Sequence, residues 1–147
     1  MNYQALLFDL DGTLIDSAQD LAASVNFLLA QDGLAGHSVA MVANMVGNGI
    51  KILVEKAYRQ AGKPIEGKTL DEKAAAMIDH YEAHLHDKTQ LMDGVGDFLV
   101  WAKAQGLKQA IITNKPIIPA QKLADYFQLD MDLILGGKMG SAPISAL

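Results

Sequence analysis

The chain contains no cysteine, which excludes disulfides and thiolate metal sites and fits a reducing compartment. No stretch approaches the roughly 20 consecutive apolar residues that a membrane-spanning helix needs. There is no basic run either. Acidic and basic residues are interspersed and sum to a net charge of −5, so nothing invites a polyanion such as nucleic acid. The opening Met1-Asn2-Tyr3-Gln4 lacks the basic region of a signal peptide, and Asp9 and Asp11 interrupt the first apolar run. These absences predict a soluble, cytoplasmic protein with neither nucleic acid nor membrane as a partner. They fix no oligomeric state.

Half of the 147 residues are apolar and a fifth are charged, which gives one domain enough apolar surface for a core and argues against disorder. A net negative charge does not prevent local binding of a phosphorylated substrate.

Ala5-Leu6-Leu7-Phe8 is a short apolar run stopped by Asp9-Leu10-Asp11-Gly12, the pattern of a buried strand. Ser17 with Asp20 matches a capping box, and Leu21, Val25, Leu28 and Leu29 follow on one helical face as far as Gly33. Ser38 opens a short helix with Met41, Val42, Met45 and Val46 on one side, broken by Gly47-Asn48-Gly49. Ile50, Leu53, Val54, Ala57, Tyr58 and Ala61 predict another, ended by Gly62 and Pro64. Thr69 and Glu72 suggest a second capping box before Leu70, Ala74, Met77, Ile78, Tyr81 and Leu85.

The pattern changes after Asp93-Gly94. Phe98, Leu99 and Ala102 predict a helix stopped by Gly106, and Ala110-Ile111-Ile112 a strand leading to Thr113-Asn114-Lys115-Pro116. Pro119 lies near the start of a helix carrying Leu123, Ala124 and Phe127, and Leu133-Ile134-Leu135 is a third strand ended by Gly136-Gly137. Strands alternating with helices imply a parallel sheet, so the fold class is α/β with a helical block inserted after the first strand.

Asp9 and Asp11 leave a strand's carboxyl end, where open α/β sheets place their ligands, and strand period sets both carboxylates on one side. Two like charges so close need a cation or a shared proton, and magnesium is a hard ion suited to oxygen ligands. With a metal present, one carboxylate can attack phosphorus while the other exchanges protons. Gly12 lets the backbone turn close to a phosphate, whose oxygens nearby amides can hold. A bare Asp-x-Asp-Gly also reads as an ordinary strand-ending turn.

The whole string Phe8-Asp9-Leu10-Asp11-Gly12-Thr13-Leu14, with Asp16-Ser17 after it, resembles the nucleophile motif of the haloacid dehalogenase superfamily. The resemblance implies Asp9 as nucleophile and Asp11 as general acid/base, with magnesium held by the Asp9 carboxylate and the Asp11 backbone carbonyl. It gives Thr13 a polar role near the phosphate. Thr113-Asn114 resembles the family's second, phosphate-binding motif, and Thr113-Asn114-Lys115-Pro116 the form found in phosphoglycolate phosphatases. Lys115 could reach an anionic substrate or simply be a solvent-exposed lysine. Val46-Gly47-Asn48-Gly49 resembles the cap segment that faces the substrate in that group, and equally an interhelical turn.

The resemblance implies a Rossmann-like core of residues 1–16 and 90–147 with a helical cap of residues 17–89 inserted. It implies hydrolysis of a small phosphomonoester such as 2-phosphoglycolate through an aspartyl phosphate, with phosphosugar phosphatase or phosphoryl mutase as neighbouring readings. His80, His84 and His86 suggest a metal site, since His80 and His84 are one turn apart, but a solvated helix face is the plainer reading, as core filling is for Met41, Met45 and Met77.

The match ends early. The family's third-motif lysine and fourth-motif acid have no clear counterparts: Lys138 follows the third strand too soon, and Pro143 through Leu147 only faintly resembles the expected segment. The expectation is an incomplete core, with the first strand an unpaired and poorly covered sheet edge and a marginal fold. An impaired, truncated remnant that binds phosphate or a partner without turnover is the alternative.

Overall fold

The computed structural model describes residues 2–138. In chain order it contains β1 (Ala5–Phe8), β2 (Ile15–Asp16), α1 (Ala18–Gln31), α2 (Val39–Ala43), α3 (Ile50–Gln60) and α4 (Gly67–Ala83). Then follow β3 (Gln90–Leu91), α5 (Val95–Ala104), β4 (Lys108–Pro116), α6 (Ile117–Tyr126) and β5 (Leu133–Gly137). β1, β4 and β5 form a parallel sheet in the order β1-β4-β5, with Leu7 opposite Ala110 and Ile111 opposite Ile134. The α/β expectation holds, with α1–α4 inserted between the first sheet strand and the next.

The helical stripes read for α1, α3 and α4 are buried, whereas Phe98 of the α5 stripe is 42% exposed. Leu21, Val25, Leu28 and Leu29 of α1, Leu53, Val54 and Tyr58 of α3, and Leu70, Met77 and Tyr81 of α4 share one apolar cluster. That cluster continues into the sheet through Ile111 and into α6 through Leu123. Met77 and Met45 do fill the core, but Met41 is 38% exposed because α2 presents only Val42 inward.

Both expected capping boxes are absent. Ser17 occupies the N-cap of α1 but makes no capping bond, because its hydroxyl is drawn to Asp11, and Asp20 is buried against the chain at Lys88–Thr89. α4 begins at Gly67, which leaves Thr69 inside the first turn. Ser38 does cap, accepting from the Met41 N–H at 3.1 Å. Two elements were not anticipated: β2 and β3 are too short to show a period, and pair antiparallel where the helical segment leaves and rejoins the sheet. Gly136 and Gly137 extend β5 rather than end it. A Cβ at Gly136 would meet the Ile117 backbone at 2.5 Å, and one at Gly137 the Asn114 carbonyl at 2.6 Å. Only glycine lets β5 come so near the end of β4.

α5 and α6 cover the same face of the sheet. Phe98 meets Phe8 edge-on, and Leu123 joins the cluster of Ile111, both strand residues pointing to that face. The opposite face carries Leu7, Leu133 and Leu135, exposed by 67%, 50% and 47%, and no described helix packs on it. Parallel sheets are normally covered on both faces. Among the described residues β1 is an edge strand of this sheet. This open face is expected to bind the dye ANS in the native state. The double substitution Leu133→Lys, Leu135→Lys should remove at least about half of the fluorescence gain, whereas an unchanged signal would place the exposed apolar surface elsewhere.

No described helix is long and apolar enough to cross a membrane.

Candidate active site

The chain turns sharply after β1. The Leu10 carbonyl accepts from the N–H groups of Thr13, Leu14 and Ile15, and the Gly12 N–H donates to the Ile15 carbonyl at 2.7 Å. Gly12 has φ of 79°, which only glycine adopts without strain. Its amide is therefore spent on closing the turn. Asp9 receives the Leu10 N–H on Oδ1 at 2.8 Å, and its other oxygen accepts no hydrogen bond among the described residues.

Asp11 is held from two sides through one oxygen. The Ser17 hydroxyl donates to Oδ1 at 2.5 Å, and the Lys115 ammonium lies 3.2 Å from that same atom. The Lys115 side chain is 1% exposed and Asp11 11%. The solvent-exposed lysine of the plainer reading is thus corrected: β4 carries Lys115 inward, where the ammonium also donates to the Tyr81 hydroxyl at 2.7 Å. It lies 4.3 Å from that ring's centroid, within cation–π range. Burial alone would lower the lysine's pKa, but the Asp11 charge, with Tyr81, outweighs it and holds Lys115 above the ordinary lysine value. Burial likewise pushes Tyr81 up, so its hydroxyl stays protonated.

Thr113 is buried, and its hydroxyl oxygen accepts the Lys115 N–H at 3.1 Å. Asn114 reaches across to the helical segment, its side-chain amide donating to the Gly47 carbonyl at 2.8 Å. Asp9, Asp11, Thr113, Asn114 and Lys115 line one side of a cavity of about 350 Å³, counting its open mouth; Leu21, Val46, Gly47, Gly49, Ile50 and Leu53 line the other. Of the residues singled out in the sequence, Gly12, Thr13 and Asn48 are exposed and do not line it. Lys138 lines a separate groove between α4 and the start of α6. Pro143 through Leu147 lie outside the described residues.

Sequence reading missed two contributors. Ser17 has the spacing of a helix cap, and Tyr81 falls on one more apolar position of α4. The usable signal was the tyrosine itself, since a phenol in an otherwise apolar stripe requires a partner for its hydroxyl. His80 is half-buried on a partly solvated face. It stacks between Phe27 and His84 and shares a hydrogen bond with the Ser24 hydroxyl at 2.9 Å.

The donor set suits magnesium in kind. No group of three or more His, Asp or Glu side chains is placed to hold a metal among the described residues. The available ligands are the free Asp9 carboxylate oxygen and the Asp11 backbone carbonyl, both hard oxygens. An ion that keeps several waters and takes one or two carboxylates together with substrate phosphate matches such a set. The charges agree: two carboxylates and one ammonium leave the lining net negative, and a phosphomonoester would add to that.

The family model of haloacid dehalogenase-like hydrolases matches residues 6–139. The chain is 40% identical over 141 residues to the phosphoglycolate phosphatase of Colwellia psychrerythraea, covering 91% of this chain and 62% of that one. It is 38% identical over 142 residues to phosphoglycolate phosphatase 1 of Pseudomonas aeruginosa, covering 90% and 50%. Among solved structures, a predicted phosphoglycolate phosphatase from Haemophilus somnus superposes with a TM-score of 0.83 at 31% identity, over 95% of this chain and 65% of that one. The chain thus spans between half and two thirds of the length of these relatives. With the motif residues of two strand ends gathered on one cavity and the match running over nearly all of its length, the chain belongs to the haloacid dehalogenase-like hydrolases.

Proposed function

We propose that this chain carries the catalytic chemistry of a magnesium-dependent phosphatase acting on a small phosphomonoester, with 2-phosphoglycolate the first candidate. The observation that carries the reading is the convergence of Asp9, Asp11, Thr113, Asn114 and Lys115, from the ends of β1 and β4, on a single cavity. The substrate rests on the names of the relatives and on the cavity's small size. The division into parts is a core of residues 1–16 and 90–147 and a cap of residues 17–89. Supporting it, Asp16 pairs with Gln90 where the two would join.

Asp9, through its unbonded oxygen, attacks phosphorus. The bond from phosphorus to the substrate's alkoxide breaks as Asp11, which must enter this step in its protonated form, delivers that proton to the leaving oxygen. Asp11 then takes a proton from water as the water attacks the aspartyl phosphate, which releases inorganic phosphate and restores Asp9. The Thr113 hydroxyl, accepting only from a backbone amide, keeps its own proton for a phosphate oxygen. Bound magnesium would offset the negative charge of the lining and of the phosphoryl group.

A panel of small phosphomonoesters tests this directly. Phosphate release should be fastest with 2-phosphoglycolate and fall to background when magnesium is chelated. A flat profile across the panel sinks the substrate, and release unaffected by chelation sinks the metal. The second reading, binding without turnover, is favoured by the sparse protein ligands for a metal. It predicts that inorganic phosphate raises Tm while no substrate is hydrolysed.

A further inference from the structure

We propose that Tyr81, 34 residues before Lys115 in the chain, is a positioning residue that fixes Asp11 through Lys115; the inference rests on the phosphatase reading for its kinetic consequence.

Tyr81 does not itself line the cavity; it meets the lining only through Lys115. It is fully buried near the carboxyl end of α4, with its hydroxyl at 2.7 Å from the Lys115 ammonium. A lysine has a flexible four-carbon stem and a rotatable ammonium, so β4 alone does not determine where the charge points. The Tyr81 hydroxyl, with its ring at 4.3 Å from the ammonium, supplies a second constraint besides Asp11. The ammonium then meets Asp11 at Oδ1, the oxygen that Ser17 also binds. Both donors therefore act on one carboxylate oxygen. The other accepts nothing among the described residues and is left for proton exchange.

The consequence is a link between the helical segment and the chemistry. Asp11 and Lys115 belong to the sheet ends, whereas Tyr81 arrives only when α4 is seated on them. An unseated α4 leaves a buried ammonium one partner short and free to change rotamer, and the carboxylate loses its fixed orientation. Orientation of a catalytic group affects turnover more than ground-state affinity.

The test compares Tyr81→Phe, Lys115→Met and the double variant. Tyr81→Phe keeps the ring and removes only the hydroxyl. It should lower kcat about tenfold with KM changed less than about twofold, and Lys115→Met should lower kcat about a hundredfold. The double variant should be no slower than Lys115→Met alone, because Tyr81 acts only through the lysine. Multiplying losses, or a loss confined to KM, would overturn the assignment.

If the unaltered chain shows no turnover that depends on Asp9, the phosphatase reading has failed, and the positioning claim is decided by NMR of the lysine ammonium groups. A buried, hydrogen-bonded Lys115 ammonium should give a slowly exchanging signal that is absent in Lys115→Met and lost or shifted in Tyr81→Phe. A Lys115 signal unmoved by Tyr81→Phe would overturn the claim.

Discussion

Asp9→Asn is expected to lower magnesium-dependent phosphate release by at least about a thousandfold while leaving the fold intact. An amide nitrogen or neutral amide oxygen is a poor nucleophile toward phosphorus, so the covalent route proposed for Asp9 would be lost. The fold has little reason to respond. The Leu10 N–H needs an acceptor, which the asparagine carbonyl still provides, and Asp9 is exposed at the cavity mouth. The stability change should stay within about 0.5 kcal/mol, as for other exposed positions. Relieving repulsion beside Asp11 acts in the stabilising direction. Phosphate release and thermal unfolding, measured on the same samples, separate the two effects. A variant that retains a tenth or more of the rate would assign the attack to water rather than to Asp9. A variant that lost activity only in step with lost folded protein would make Asp9 structural.

The parts of this protein that were legible in its sequence are those whose partners lie within a few residues. The stripes of α1, α3 and α4 were readable because helical period is local, as was the turn at Gly12, which is closed by Ile15. The motif at Asp9–Asp11 stood out because its chemistry and its strand end are adjacent.

Long-range partners stayed hidden. Ser17 and Asp20 have the spacing of a capping box, yet a buried carboxylate and two distant amides compete for them and win. Local propensity is a weak prior when a charge-assisted bond is on offer. Lys115 failed in the same way: lysine is rarely buried, and only the joint presence of Asp11 and Tyr81 makes burial tolerable. Tyr81 is separated from Lys115 by 34 residues, and no spacing rule connects them.

Asp20→Ala is expected to destabilise the chain about as much as truncating a large core side chain. Asp20 is 3% exposed, and its carboxylate accepts from the Lys88 N–H, the Thr89 N–H at 2.8 Å and the Thr89 hydroxyl at 2.7 Å. It also lies in the first turn of α1, where a negative charge is favoured by the helix dipole. The residues it grips come just before β3, and α1 comes just after β2, so this one side chain ties both connections between helical segment and sheet. Alanine leaves the buried Thr89 amide and hydroxyl without an acceptor, at a cost of about 2–4 kcal/mol in all. For a chain of this size that is a fall in Tm of roughly 8–15 °C, a large share of a typical 5–15 kcal/mol of stability. Asp20→Asn keeps one acceptor oxygen and should lose about half as much. Because Asp20 does not line the cavity, the Asp20→Asn protein, assayed cold, should retain its turnover per folded molecule. A Tm within 2 °C of the unaltered chain for Asp20→Ala would show that water replaces the carboxylate at Thr89. In that case the antiparallel pairing of β2 with β3, and not the side-chain clamp, is what joins the helical segment to the sheet.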